Sequence, residues 1–166
     1  MAFEKEILAY KSEFSREHMY GGAGLQEIDN LIEWLEHVQK ASSYDTWQKE
    51  QTPSSTYLCI RQSDQNMVGI CNIRHKLNQE RLLNVTGHIG YSIRPSERQK
   101  AYAKEQLRLA LKEAKKLGIN NVLVTAADWN IGSQKTILAN DGVLEDSRID
   151  PDKGDKMLRF WIDNSL

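Results

Sequence analysis

From Arg94 to Ala103 the chain reads Arg-Pro-Ser-Glu-Arg-Gln-Lys-Ala-Tyr-Ala, with the cations Arg98 and Lys100 where an alternating segment gives way to an amphipathic one. A strand turning into a helix there presents unpaired backbone N–H groups and the positive end of the helix dipole, which together can cradle a pyrophosphate. Arg98 and Lys100 would add full charges beside it. Taken alone, the stretch is an ordinary solvated helix start, and Ser96 with Gln99 three residues later has the spacing of a capping box. Upstream, His88 has an intrinsic pKa suited to proton transfer and sits on the segment leading into the cradle, with Tyr91 and Glu97 as weaker alternatives. A lone histidine in an alternating strand is at least as often a packed structural residue.

The elements that must position these groups can be read from periodicity. Leu107, Ala110, Leu111, Ala114 and Leu117 recur at steps of three and four before Gly118, which predicts a long helix. Ahead of the cradle, Gly87 to Ile93 alternates as a strand stopping before Pro95. Thr56 to Arg61 and Met67 to Arg74, joined by Ser63-Asp64-Gln65-Asn66, predict a β-hairpin, and Asn78 to Asn84 a polar loop. Val122 to Thr125 predicts a buried strand, Asn130 caps a short helix carrying Ile131, Ile137 and Leu138, and Met157 to Ile162 is a last strand. The first third reads as helical, with Phe3, Ile7, Leu8 and Phe14 at roughly helical spacing. Tyr20-Gly21-Gly22-Ala23-Gly24 breaks that run, and a second helix from about Glu27 to Gln39 carries Ile28, Leu31, Ile32, Leu35 and Val38 on one face. That stripe, with Trp34, Trp47 and Trp161, reads as core.

Composition narrows the function. The 166 residues, 40% hydrophobic and 27% charged, fit one globular domain over 1–166. With 22 Lys+Arg against 23 Asp+Glu the net charge is −1, so no long-range field gathers nucleic acid or anionic lipid. Cys59 and Cys71 lie in apolar segments without metal-ligand spacing and read as reduced core thiols, so no metal is expected. No apolar run follows a basic N-terminal stretch, and no window reaches the about eighteen apolar residues of a membrane helix. A cytoplasmic location is the expectation. The Gly21-Gly22-Ala23-Gly24 turn lacks the Gly-Lys-Ser/Thr of a Walker loop; it is either a plain loop or a place of close approach between the first helices and a substrate.

Arg98, Ala101 and Ala103 occupy the frame of an (Arg/Gln)-x-x-Gly-x-(Gly/Ala) loop, and the sequence resembles the GNAT acyltransferase family that carries it. The likeness runs from about Gly21 to the C-terminus through Val68-Gly69-Ile70, Gly87-His88-Ile89-Gly90-Tyr91, Asn130-Ile131-Gly132-Ser133 and Arg159-Phe160-Trp161-Ile162, and is similar to a bacterial subgroup with unassigned substrates. The resemblance implies an α/β fold with a mixed, mostly antiparallel splayed sheet flanked by helices. It also implies an N-acetyltransferase that moves an acetyl group from acetyl-CoA to a primary amine by direct attack. Ile93 and its neighbours would offer backbone bonds to the pantetheine arm, Arg98, Gln99, Lys100, Ala101, Tyr102 and Ala103 would hold the pyrophosphate, and Asn130 and Ser133 would touch the cofactor near the thioester. His88 is the chosen general base and Tyr91 the second catalytic candidate, while Trp129 is placed to line the acceptor pocket.

Two departures stand against the family pattern. Ala101 replaces the usual loop glycine, adding a methyl that costs little if the residue is helical. The family's opening strand is also missing before the first helix, which leaves the Thr56 to Arg61 strand near a sheet edge and makes homodimerisation one answer. Many relatives place a tyrosine general acid where this chain has Ile137. The alternatives kept open are an acyl-CoA-binding module without turnover and an acetyltransferase of protein N-termini or lysines.

Overall fold

The structure is a computed structural model that describes residues 2–43 and 51–166; Trp47, read as core, lies outside the described residues. Two helices, α1 (Glu4–Ser12) and α2 (Leu31–Ser42), precede the hairpin strands β1 (Ser54–Ile60) and β2 (Met67–Arg74) and the strand β3 (Ile89–Ile93). The long helix α3 (Tyr102–Lys116) leads to β4 (Asn121–Ala127), the short helix α4 (Ile131–Leu138), β5 (Val143–Ile149) and β6 (Lys156–Asp163). The strands form two antiparallel three-stranded sheets, ordered β1-β2-β3 and β4-β6-β5. Among the described residues no helix is long and apolar enough to cross a membrane.

Each sheet needs its apolar surface covered, and the helices supply the cover. Leu107, Ala110, Leu111 and Ala114 of α3 pack on Cys71, Ile73, Ile89, Val122, Val124, Phe160 and Ile162, so one helix lies across both sheets. On the other face of β2, Met67 and Ile70 meet Ile7, Tyr10, Phe14, Met19, Leu25 and Trp34 from α1, α2 and their connection. β2 is therefore buried nearly throughout, which explains its apolar sequence. β1 lies at the sheet edge, with no strand outside it among the described residues.

Several sequence expectations need correction. The second helix begins at Leu31, because the Asn30 side chain accepts from the N–H groups of Ile32 and Glu33 and fixes the start. Its predicted stripe is only part core, since Ile32 is 64% exposed. Trp161 is half-buried and gives its indole N–H to Glu145 at 2.8 Å. The expected polar loop ends in a π-helical turn, Leu82–Thr86, that buries Leu82 and Val85. β5 has no counterpart in the sequence reading: its Val143, Leu144 and Ile149 are exposed, while Glu145 and Asp146 turn to the buried Arg159 of β6.

Among the described residues the sheets are bridged at one place. Gly87 forms a single antiparallel bridge with Val124, at a φ of 74° where an added Cβ would sit 2.6 Å from the Leu123 carbonyl oxygen. Next to it the His88 N–H donates to Leu123 O at 2.8 Å, and the Leu123 N–H donates to the imidazole Nδ1 of His88 at 2.9 Å. Burial, and then the nearby Arg74, pushes the His88 pKa down to about 4. The unfolded chain thus takes up this proton near pH 6.5 and the folded protein only near pH 4, so stability is unaffected above pH 6.5 and falls as pH drops between those values. At 1.36 kcal/mol per pKa unit this group alone should remove on the order of 3 kcal/mol by pH 4. His88→Asn, which offers an acceptor that does not titrate in that range, should flatten the acid limb in thermal melts from pH 7 to 4. His88→Ala should cost about 1–3 kcal/mol at pH 7 by stranding the Leu123 N–H.

Candidate active site

Beyond that contact β3 and β4 diverge, and a cavity of about 770 Å³ opens between the end of β3, the start of α3 and the start of α4. Tyr91, Ile93, Arg98, Gln99, Ala101, Tyr102, Ala103, Asn130 and Ser133, all singled out from the sequence, line it. A smaller cavity of about 240 Å³ lies on the other side of Tyr91, walled by Ile89 and Gly90, by Thr125 to Ala127, and by Asp150, Lys153 and Asp155. Tyr91, Trp129, Asn130, Ser133, His18 and Tyr20 belong to both walls. The cleft is thus one passage with a wide arm and a narrow arm meeting at Tyr91.

The wide arm has the features an acyl-CoA pyrophosphate requires. A 3₁₀ turn, Pro95–Glu97, ends β3, and α3 begins without a side-chain cap among the described residues, at a start whose Ala101, Tyr102, Ala103 and Lys104 line the cavity. Gln99 and Ala101 both have positive φ, 61° and 65°, and fold the loop tightly around that mouth. Ala101 thus holds the left-handed conformation of a glycine, not the helical one its methyl would favour, which corrects the low-cost expectation for this residue. The alternative reading of Ser96 and Gln99 as a capping box does not hold either, because the Ser96 hydroxyl donates to Glu13.

The two cations of the loop behave differently. Arg98 lines the cavity, with Nε donating to the Ile93 carbonyl at 3.2 Å and a terminal nitrogen 3.0 Å from Glu17. Lys100 does not line it: its ammonium donates to Glu97 at 2.9 Å, which corrects its expected place on the phosphates. Glu97 also accepts from Arg61, and Arg61 donates to the Tyr102 hydroxyl at 3.1 Å, fixing that ring at the cavity wall. Arg61 was invisible to sequence reasoning because 41 residues separate it from Tyr102.

At the junction, the Tyr91 and Ser133 hydroxyls lie 2.8 Å apart, and burial pushes the Tyr91 pKa up to about 12. Asn130 is occupied at its side-chain oxygen by the Ser133 N–H, so it acts first as the cap of α4. Ile137 is fully buried in the core and lines neither arm of the cleft. His88 lines neither arm, and the Nδ1 lone pair that could take a proton is already used by the Leu123 N–H. With Nδ1 accepting, the neutral ring carries its proton on Nε2 and has no free base; this overturns His88 as general base.

His18 takes a more suitable position. It lies at the rim shared by both arms, edge-on to Tyr20 at 4.5 Å between ring centroids. Burial first, then Lys153, lowers its pKa below the ordinary 6.5, which keeps the ring neutral. Gly21 makes this placement feasible: at φ 75° its backbone packs on β3 so closely that any Cβ would collide with the Gly90 carbonyl. The glycine turn read as a plain loop or a place of close approach between the first helices and a substrate; the approach at Gly21 is to β3 instead, and the turn pointed to no catalytic group.

The acetyltransferase (GNAT) domain family matches residues 6–141, and the chain belongs to that family. It is an acetyl-CoA-dependent N-acetyltransferase by that membership. Among curated proteins no sequence matches this chain. Of solved structures, it is similar to a dodecameric spermidine N-acetyltransferase from Vibrio cholerae, at 13% identity and a TM-score of 0.66 over 97% of this chain and 90% of that one. It is also similar to the ribosomal-protein-S5-alanine acetyltransferase from Vibrio fischeri, at 13% identity and a TM-score of 0.56 over 67% of this chain and 62% of that one. At these identities the likeness establishes the fold.

The left-handed alanine makes a direct prediction. A non-glycine residue there costs about 1–2 kcal/mol, against about 0.4–1 kcal/mol of extra chain freedom that a glycine brings to the unfolded state. Ala101→Gly should therefore raise stability by about 0.5–1 kcal/mol, or about 1–4 °C in Tm, without weakening acetyl-CoA binding. Calorimetry in the presence and absence of acetyl-CoA checks both.

Proposed function

We propose that this cytoplasmic enzyme holds acetyl-CoA in the wide arm and the primary amine of a small molecule in the narrow arm, with transfer by direct attack where the arms meet. The observation that carries the reading is the pair of cavities joined at Tyr91, Asn130 and Ser133. Bound acetyl-CoA supplies an activated acyl thioester. Arg98, Gln99, Ala101 and Ala103 would surround its pyrophosphate at the uncapped start of α3, while Ile93 and Ser133 would flank the arm leading to the junction.

An ammonium has no lone pair to attack with, so a group at the junction must take its proton. His18 serves as that base, directly or through one water, because its lowered pKa leaves it neutral at pH 7. Tyr91 serves as the acid. A phenol held protonated up to about pH 12 can give its proton to the departing thiolate and regain one through Ser133. This pair replaces the tyrosine that Ile137 excludes. Neither cysteine suits an acyl-enzyme: Cys71 is buried with its thiol pushed up to about 12, and both lie outside the cleft.

The strained Ala101 keeps the loop in the shape a glycine would give it, so it lends no support to the alternative of an acyl-CoA-binding module without turnover. An acceptor as large as a protein terminus is disfavoured by the 150–157 wall that bounds the narrow arm. The outer edge of β1 could still pair with a second copy.

Turnover separates these readings. Arg98→Ala should weaken acetyl-CoA binding by about 1–2 kcal/mol in calorimetric titration, less than a free cation would, since Arg98 already has Glu17 as a partner. Tyr91→Phe should lower kcat by about 100-fold with acetyl-CoA affinity unchanged. For His18 the base form is lost as pH falls, so kcat/KM should rise with pH through a step below 6.5 and be level above it. His18→Ala should lower the plateau and abolish that step; a profile that kept it would remove His18 from the mechanism.

A further inference from the structure

Among the described residues, one cation of the narrow arm has no carboxylate partner. Arg74, the last residue of β2, runs under β3, where its Nη1 donates to the Gly87 carbonyl at 3.2 Å. Its Nη2 lies 3.6 Å from where a Cβ on Gly90 would stand, so the absence of a side chain at Gly90 leaves the guanidinium open to the cavity. Among the described residues no carboxylate pairs with Arg74, and burial alone pulls its pKa down to about 10.

The other arginines of the cleft are neutralised. Arg81 is held by both oxygens of Asp150 at 3.2 Å and by Asp152 at 2.7 Å, and Arg98 by Glu17. Asp150 is spent on Arg81 and on the N–H groups of Asp152 and Lys153. Asp155, the other carboxylate of this wall, accepts the Trp129 indole N–H at 3.3 Å and keeps its charge, a single anion against the two cations Arg74 and Lys153. Lys153, which also lines this cavity, places its ammonium over the Tyr20 ring at 5.3 Å and has no carboxylate in ion-pair range among the described residues. His18 is neutral. An uncompensated guanidinium under low-dielectric walls is costly to keep, and it attracts an oxyanion with a fork of N–H donors shaped for one.

We infer that the acceptor is a compact amine that also bears an oxyanion, a carboxylate or a phosphate, seated on Arg74 with Lys153 in the same cavity. A polycationic acceptor would bring like charge to both groups. The inference rests on the acetyl-transfer reading, and its distinguishing feature is that the anion is recognised apart from the reacting centre.

The test is a set of matched acceptors with purified protein and acetyl-CoA, read by thiol release: α-amino acids, their amides, aminoalkyl phosphates, and spermidine. The expected result is turnover of an amine with an oxyanion and far slower turnover of its amide and of spermidine, the amino-acid and aminoalkyl-phosphate arms deciding which oxyanion. Arg74→Gln should raise KM for the anionic acceptor about 10–100-fold more than for its amide, and Arg74→Lys should restore part of it. Acetyl-CoA affinity, measured in parallel, reports whether each variant still folds around its cofactor. Equal turnover of amide and acid, a preference for spermidine, or an Arg74→Gln effect that is the same on all acceptors would overturn the inference. If acetyl-CoA binds but no acceptor turns over, the transfer reading fails on its own. Thermal shifts with the same acids, amides and phosphates then decide the anion site, which requires stabilisation by an oxyanion that Arg74→Gln abolishes.

Discussion

A β-sheet continues only where each strand offers its neighbour a matching row of carbonyl and N–H groups, and here the row stops after one bridge. At Leu123 the N–H that would seek a carbonyl on β3 finds the imidazole of His88 instead, while the Leu123 carbonyl takes the His88 N–H. The side chain occupies the place of the next backbone acceptor, and the glycine before it admits the close approach. Beyond that point the two sheets have no ladder to hold them together, so they part and a cleft forms. The wide arm, the narrow arm and the Tyr91–Ser133 contact that divides them all follow from this local substitution of a ring nitrogen for a peptide oxygen.

An open cleft must be held open at the right width, and α1 does much of this. The Tyr10 hydroxyl contacts both the carbonyl and the hydroxyl of Ser92 on β3, at 3.0 and 2.8 Å. Glu13 accepts from Arg94 at 2.7 Å and from the Ser96 N–H at 3.0 Å, tying the helix to the turn that starts the cradle. Glu6 accepts from the Met67 N–H at 2.9 Å and so reaches the adjoining strand. These bonds join residues 61 to 83 positions apart, and the charge-assisted ones to Glu6 and Glu13 are stronger than bonds between neutral groups. The same helix leads into the segment carrying His18 and Tyr20, so the cradle and the rim of the acceptor arm are positioned by one element.

The sequence made plain what depends on local periodicity. α3 follows its apolar repeat to Lys116, and β2 spans Met67–Arg74 as its composition demands, because both pack against the core along their whole length. β5 was hidden because an edge strand facing solvent has no apolar rhythm, and its acidic residues answer to a buried arginine on another strand. At the site, the residues of the loop and of the α4 start were legible because they occupy one short motif each. His88 was misread because its type suggested chemistry while its environment, a backbone N–H on its lone pair, is a matter of tertiary packing. His18 and Arg74 carried no local signal: the first matters because a glycine turn sets it over β3, the second because no carboxylate among the described residues meets it.

The cradle itself shows how a fold keeps a strained residue. Left-handed backbone at a non-glycine position persists only where the surroundings over-determine it, and the turn around Ala101 is fixed on both sides. Glu97 is clasped by Arg61 and Lys100, Arg61 in turn holds Tyr102, and Arg98 is tied back to the Ile93 carbonyl. The loop cannot relax toward a helical Ala101 without breaking several of these bonds. A strain of about 1–2 kcal/mol is small beside the roughly 5–15 kcal/mol by which a domain is stable. The departure from the local conformational rule falls where an anion-binding helix start needs it. The methyl therefore burdens the stability of the loop while leaving its shape that of a glycine.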